Sequence, residues 1–321
     1  MSARSHDQRV TIPRLIMLTA VIAVLLFIAG CAPGDAGSGT GNSQLTLAYL
    51  PSEEDPEGRM TAFAELGEYL SDALDQTVRI VQANAYGPTI EAMRAGKVDI
   101  IRANGPFTYI IANEKAGAEA IVRVGSSAGP GLYQSVIVAH PETGIETLED
   151  LIARAGELDF AFVDPASASG HLIPRALLES MGIDPEEDFA RTIFTMTHTN
   201  SAMTVISGKV HAGAISSVTY ERFLKTGVME ADDMTVLWRS DPTPTGPVMV
   251  RNDLPQELKG RLRDAYLALN SGDTELYRAM TQVYDTQDLR FYPASDADWD
   301  PLRRIARNIT SMDLLPEAES Q

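Results

Sequence analysis

The residues of this chain best equipped for chemistry gather in short turns, the richest of which is Asp164-Pro165-Ala166-Ser167-Ala168-Ser169-Gly170. An amphipathic run from Leu172 follows, so the turn suits the start of a helix. Exposed N–H groups and the helix dipole favour anions there. Ser167 and Ser169 add hydroxyl donors, and Gly170 permits close backbone approach. The same serines suit plain helix capping, and alone they leave both roles open. Four more turns share the composition. Asn84-Ala85-Tyr86-Gly87-Pro88-Thr89 carries a proline suited to a first helical turn; Tyr86 is either a phenol donor or a half-buried aromatic. Asn104-Gly105-Pro106, Thr197-His198-Thr199-Asn200-Ser201 and Ser216-Ser217-Val218-Thr219 complete the set. His198 suits hydrogen-bond donation better than metal ligation. The other histidines, His6, His140, His171 and His211, are scattered and form no metal-ligand spacing with it. These residue types support non-covalent capture of a small anion by neutral donors.

Such turns must be positioned by the elements around them. Short apolar runs (Leu45–Leu50, Val78–Gln82, Ile100–Ala103, Gln134–Ala139, Phe160–Val163, Ala212–Ile215) predict strands. Amphipathic stretches (Arg59–Leu74, Thr89–Arg94, Phe107–Lys115, Leu172–Met181, Gln256–Ala268) predict the helices between them. Alternation of this kind predicts an α/β fold with largely parallel sheets. In open α/β sheets ligands bind at the carboxyl ends of strands, where these turns fall.

Composition removes several function classes. The chain carries 26 Lys+Arg against 44 Asp+Glu, a formal charge of −18. Nucleic-acid binding, which needs clustered cations, is disfavoured, and an anion site has to be built from local donors against an opposing field. Sequences for a nucleophile elbow, a phosphate-binding Walker loop or a cysteine nucleophile are missing, so the chain reads as a binding protein and not an enzyme, with no cofactor. At the N-terminus, Arg4, Arg9 and Arg14 precede an apolar run from Leu15 to Ile28 and the small residues Ala29-Gly30. This predicts a secretory signal over 1–30. Cys31, the single cysteine, sits where a lipobox requires it, which predicts lipidation and attachment to a membrane outside the cytoplasm. Residues 31–43, rich in Gly and Ser, then read as a flexible tether.

The segments Tyr86…Ile90-Glu91-Ala92-Met93-Arg94, Gly105-Pro106, Tyr133-Gln134-Ser135-Val136-Ile137-Val138 and Asp164-Pro165-x-Ser167-x-Ser169-Gly170 resemble the phosphate/phosphite/phosphonate-binding proteins of ABC importers. The resemblance implies a two-lobed type II periplasmic-binding-protein fold with the ligand cleft between the lobes. It places a discontinuous lobe at 44–138 plus 240–321 and a second at 139–239, with crossovers near Ala139 and Arg239–Gly246. It also implies that Tyr86, Ser167, Ser169 and His198 surround a phosphorus oxyanion, with Asn104, Gly105, Ala168, Gly170 and Ser216 contributing from their turns. The ligand implied is a phosphonate or phosphite, with phosphate as a third candidate. The partners implied are an ABC permease and ATPase, met by a monomer. Delivery of another small solute to a two-component sensor is the alternative. Two positions depart from the family pattern: Ala168 lacks the middle hydroxyl of its turn, and Ser216 stands where an acid is expected.

Overall fold

The computed structural model describes residues 44–49, 56–83, 85–103, 105–272, 274–284, 286 and 288–309. The signal, Cys31 and the tether lie outside the described residues, as do Asn84 and Asn104. The strands in chain order are β1 (Leu45–Tyr49), β2 (Val78–Gln82), β3 (Ile100–Arg102), β4 (Glu119–Ser126), β5 (Gly129–Pro130), β6 (Leu132–Tyr133), β7 (Ser135–Ala139), β8 (Asp159–Phe162), β9 (Arg191–Phe194), β10 (Ala212–Ser216), β11 (Thr235–Arg239), β12 (Thr243–Pro244), β13 (Pro247–Val250) and β14 (Arg290–Pro293).

They form two sheets and a small ribbon. The first sheet runs β14-β4-β13-β3-β1-β2, with β5 attached to β4; the second runs β11-β7-β10-β8-β9. Parallel pairing joins β1 to β2 and β3 in the first sheet, and β8 to β9 and β10 in the second. Antiparallel strands complete both: β13, β4 and β14 in the first sheet, and β7 and β11 in the second. The fold is therefore α/β and two-lobed. The chain leaves the first sheet through β6 and returns through β12, and these two segments pair with each other, Tyr133 opposite Thr243 and Leu132 opposite Pro244. The first crossover thus precedes Ser135–Ala139, which belongs to the second sheet, instead of following it.

Each sheet is buried on both faces, and successive strand residues point to opposite sides, as the pleat requires. Leu47 and Ile100 join one apolar cluster with Phe63, Leu66 and Tyr266. Their neighbours Ala48 and Ile101 join another with Phe107, Ile110, Met249 and Trp299. In the second sheet Ile137 packs with Leu151, Phe160 and Leu178, while Val136 and Val138 pack with Val205, Ile215 and Phe223. Four elements escape the sequence pattern. β4 lies inside the first sheet, yet only Ile121 and Val122 of its eight residues are buried, which leaves no alternation to read. β14 and the helices Glu275–Val283 and Asp300–Asn308 also lack an unambiguous signal, although the last supplies a core anchor beside Trp299.

Trp299 ties the returning segment to the rest. Its ring is fully buried and tilts against Tyr109 at 4.6 Å between centroids. Its indole N–H donates to the Thr245 carbonyl at 3.3 Å. The same cluster takes in Ala168, Leu172 and Ile173 from the second-lobe side. Trp299→Ala is expected to lose about 3–5 kcal/mol of stability, since truncating a buried aromatic removes its transfer energy and leaves a cavity. Urea denaturation followed by far-UV circular dichroism reads this directly, and an unchanged midpoint would remove Trp299 as an anchor.

Candidate functional site

Five helix starts share one cavity. β2 leads through Ala85 into the helix Tyr86–Arg94, and β3 through Gly105 into Pro106–Ala116. On the other lobe, β8 leads through Ser167 into a single π-helical turn, Ala168–Leu172, closed by Leu172 N–H to the Ser167 carbonyl at 3.0 Å. β9 leads through Thr197 into His198–Ile206, and β10 through Ser216 into Ser217–Thr226. Ala85, Gly105, Ser167, Thr197 and Ser216 all line the cavity, whose volume is about 650 Å³. The size falls within the usual range of small-molecule sites, roughly 300–1,000 Å³.

The two lobes cap their helices differently. Neither Ala85 nor Gly105 makes a side-chain cap. On the second lobe every cap is made: Ser167 Oγ accepts from Gly170 N–H at 3.0 Å, Thr197 Oγ1 from Asn200 N–H at 3.0 Å, and Ser216 Oγ from Thr219 N–H at 3.1 Å. A hydroxyl that accepts such a bond still holds a proton to donate. Capping and anion donation are therefore compatible at Ser167, and the two roles left open by its sequence need not compete.

Ser169 is 1% exposed, lines the cavity, and its Oγ makes no hydrogen bond of regular geometry among the described residues. The Tyr133 phenol adjoins it. Burial raises the Tyr133 pKa well above the ordinary phenol value, Ser169 opposes that rise, and the nearby Tyr86 adds slightly to it. Tyr86, Tyr133 and Ser169 thus form a cluster of neutral hydroxyl groups. His198 is fixed by the second lobe: its Nδ1 accepts the Ser216 N–H at 3.1 Å, which assigns the ring proton to Nε2. Burial, and then the Arg222 charge, lower its pKa from 6.5 to about 4. His198 is therefore a neutral N–H donor at the cavity wall.

Several residues legible in the sequence stand elsewhere or do something else. Ala168 is buried in the apolar cluster with Leu172 and Ile173, and it does not line the cavity. Gly170 does not line it either: its N–H is engaged by Ser167, and a Cβ there would stand 2.3 Å from Val163 Cγ2. Its glycine is thus explained by packing against β8. Asn104 lies outside the described residues. Conversely, Tyr133, Asp164, Thr197, Arg102 and Arg222 line the cavity without having been singled out as site residues from sequence. Burial raises the Asp164 pKa against the opposing hydrogen bond from Ala166 N–H. Arg102 did carry a signal, as a lone cation at the carboxyl end of the apolar strand Ile100-Ile101-Arg102. Among the described residues, no group of His, Cys, Asp or Glu could hold a metal ion.

Two α/β lobes with a donor-lined cleft between them define a substrate-binding protein of the two-lobed periplasmic class. A family model of ABC transporter, phosphonate, periplasmic substrate-binding proteins matches residues 47–299, and the chain belongs to that family. It is 28% identical to the phosphate-import protein PhnD of Mycolicibacterium smegmatis, over 95% of this chain and 97% of that protein. A crystal structure of a binding protein component of an ABC phosphonate transporter from Pseudomonas aeruginosa is 26% identical, with a TM-score of 0.71, covering 82% of this chain and 85% of that one. PhnD1 from Prochlorococcus marinus in complex with methylphosphonate has the same fold, with a TM-score of 0.72 at 18% identity, over 84% of this chain and 100% of that one. As a member of this family the chain is a binding protein of an importer, not an enzyme, and it works outside the cytoplasm. Among the described residues no helix is long and apolar enough to cross a membrane.

His171, wedged edge-on against Phe162 and Phe194, shares the low pKa of about 4, again chiefly through burial. For both histidines the folded pKa lies below the unfolded value of 6.5. The unfolded chain therefore binds more protons in that window, and stability, complete above pH 6.5, falls as pH drops towards 4. NMR titration is expected to place both imidazole midpoints near 4. A His198 midpoint at or above 6.5 would contradict the neutral-donor assignment.

Proposed function

We propose that this chain captures a phosphorus oxyanion, a phosphonate or phosphite ahead of phosphate, and hands it to an ABC permease and its ATPase. The observation that carries the proposal is the convergence of five helix starts from both lobes on one cavity, with a tautomer-fixed neutral His198 and the buried Ser169 hydroxyl beside Tyr133 among its lining residues. In this reading Tyr86, Ser167, Ser169 and His198, with the helix start at Gly105 and the Ser216 hydroxyl, surround the PO3 unit. Asn104 is proposed to contribute beside Gly105. Ala168 and Gly170 shape the turn without donating to the ligand. A net hydrogen bond to a charged group contributes about 1.5–3 kcal/mol. Five or six of them, less the cost of lobe closure, reach micromolar affinity, about −8 kcal/mol.

The chain is further proposed to act as a monomer, tethered through a lipid on Cys31 after removal of residues 1–30. The tether of residues 31–43 then keeps the domain near the membrane that holds its permease. Cys31→Ser is expected to move the protein from the membrane fraction to the soluble fraction, and mass spectrometry of the mature N-terminus identifies the lipid. A Cys31→Ser protein that stays with the membrane would remove the anchor.

Titration calorimetry against phosphate, phosphite, methylphosphonate, 2-aminoethylphosphonate, sulfate and arsenate tests the ligand class. Micromolar or tighter binding to one phosphorus oxyanion, with sulfate much weaker, is expected. Ser169→Ala and His198→Ala should each weaken that binding about tenfold to a hundredfold, the loss of one charge-assisted hydrogen bond. If both variants bind like the parent protein, the cage is misplaced.

A further inference from the structure

We infer that the preferred ligand is a phosphonate whose organic arm ends in a second anionic group, a carboxylate or second phosphoryl, gripped by Arg102. The inference deepens the phosphonate reading above and rests on it. The cavity has a second set of walls that the helix starts do not supply. These are Arg102 at the end of β3, the β4–β5 hairpin from Val124 to Pro130, and the turn around Tyr284. All belong to the first lobe: β3 and β4 both pair with β13, and Val283 packs in the core cluster of the first sheet. One lobe therefore supplies the whole annex. The hairpin is committed to its tight path by sequence. A Cβ on Gly125 would meet the Gly129 carbonyl at 2.2 Å, and Gly129 itself has φ +134°, a conformation that side chains rarely adopt.

Arg102 is the chemical feature of the annex. Its guanidinium lies 4.5 Å over the Tyr284 ring, and its Nε donates to the Tyr284 hydroxyl at 3.1 Å. Both contacts fix the position of the planar guanidinium, and Arg102 lines the cavity. Arg123, Arg175, Arg251 and Arg303 each meet a carboxylate. Arg102 has no such partner among the described residues, in a chain where Asp+Glu outnumber Lys+Arg 44 to 26. A stacked guanidinium with free N–H groups matches the two oxygens of a carboxylate or phosphoryl group.

Size and polarity agree. At about 30 Å³ per water, a cavity of about 650 Å³ holds on the order of twenty waters. Methylphosphonate, a phosphoryl group and one methyl, fills a small part of it. The cavity walls also include Leu132, Met196 and Val218, exposed by 59%, 53% and 50%. Such apolar surface suits a methylene arm.

The test uses the purified full chain and a matched pair of ligands, 3-phosphonopropionate and propylphosphonate, which differ in the terminal charge; 4-phosphonobutyrate probes arm length. The parent protein is expected to prefer 3-phosphonopropionate or 4-phosphonobutyrate over propylphosphonate by about tenfold or more, the worth of one charge-assisted pair. Arg102→Gln should collapse that ratio towards one, and Arg102→Lys should retain part of it. If Arg102→Gln does not fold, Tyr284→Phe removes only the hydroxyl that aims the guanidinium, and it should lower the ratio as well. Equal affinities in the parent protein, or a ratio unmoved by the variants, overturn the inference while leaving phosphonate capture intact. Failure of the parent protein to bind any phosphorus oxyanion overturns both.

Discussion

An anion has to be held by a protein whose own field repels it, and that constraint organises the molecule. With a formal charge of −18, long-range attraction is unavailable, so binding energy must come from donors placed at contact distance and fixed before the ligand arrives. Strand–turn–helix units do this cheaply. Each strand fixes the direction of one turn, each turn presents a helix start, and sheets buried on both faces keep the strand ends in register. The five cap residues come from separate units and both lobes, yet they line a single cavity. Such convergence follows from parallel pairing, which puts the carboxyl ends of β1, β2 and β3, and likewise of β8, β9 and β10, on the same edge of their sheets.

The two lobes bring different chemistry to the cleft. The two cavity-lining helix starts of the first lobe carry no side-chain caps, and Pro88 and Pro106 lie within their first turns, where the missing N–H costs nothing. On the second lobe three hydroxyl caps hold their turns, and the Ser216 hydroxyl also pairs with the Thr219 hydroxyl at 3.0 Å. The ribbon of β6 and β12 joins the halves at the crossovers, with Tyr133 in β6 reaching the Ser169 hydroxyl. A residue of the crossover therefore touches the second-lobe wall of the cavity. Closure of lobes about such a hinge is the usual response of this class to ligand.

Much of this is legible in the sequence. Runs such as Ile100-Ile101 and Phe160-Ala161-Phe162 mark strands buried on both faces, and the turn from Asp164 to Gly170 marks a helix start with unusual polar content. Less legible were features that depend on distant pairing. β4 shows no alternation because its neighbours β13 and β14 arrive from more than a hundred residues downstream. Tyr133 sat within the family motif, but its proximity to Ser169 spans a crossover. Glycine marks any close approach, and at Gly170 the approach is to Val163. The small side chain of Ala168 packs in the apolar cluster with Leu172 and Ile173 while its neighbours Ser167 and Ser169 line the cavity.

Ser216 replaces the acid expected at the end of β10, and its surroundings show how the site accommodates the change. Its backbone N–H donates to His198 Nδ1 while its hydroxyl caps Thr219. A carboxylate at that position would sit beside His198 and favour the imidazolium; with serine, burial and Arg222 keep the ring neutral. Among the described residues that line it, the cavity still holds one carboxyl group, Asp164, and burial raises its pKa. Negative charge at the cage is therefore reduced by the serine at position 216. A cavity with that balance suits a fully ionised ligand better than a protonated one, because an acceptor for a ligand hydroxyl has been traded for a hydroxyl and an N–H that donate.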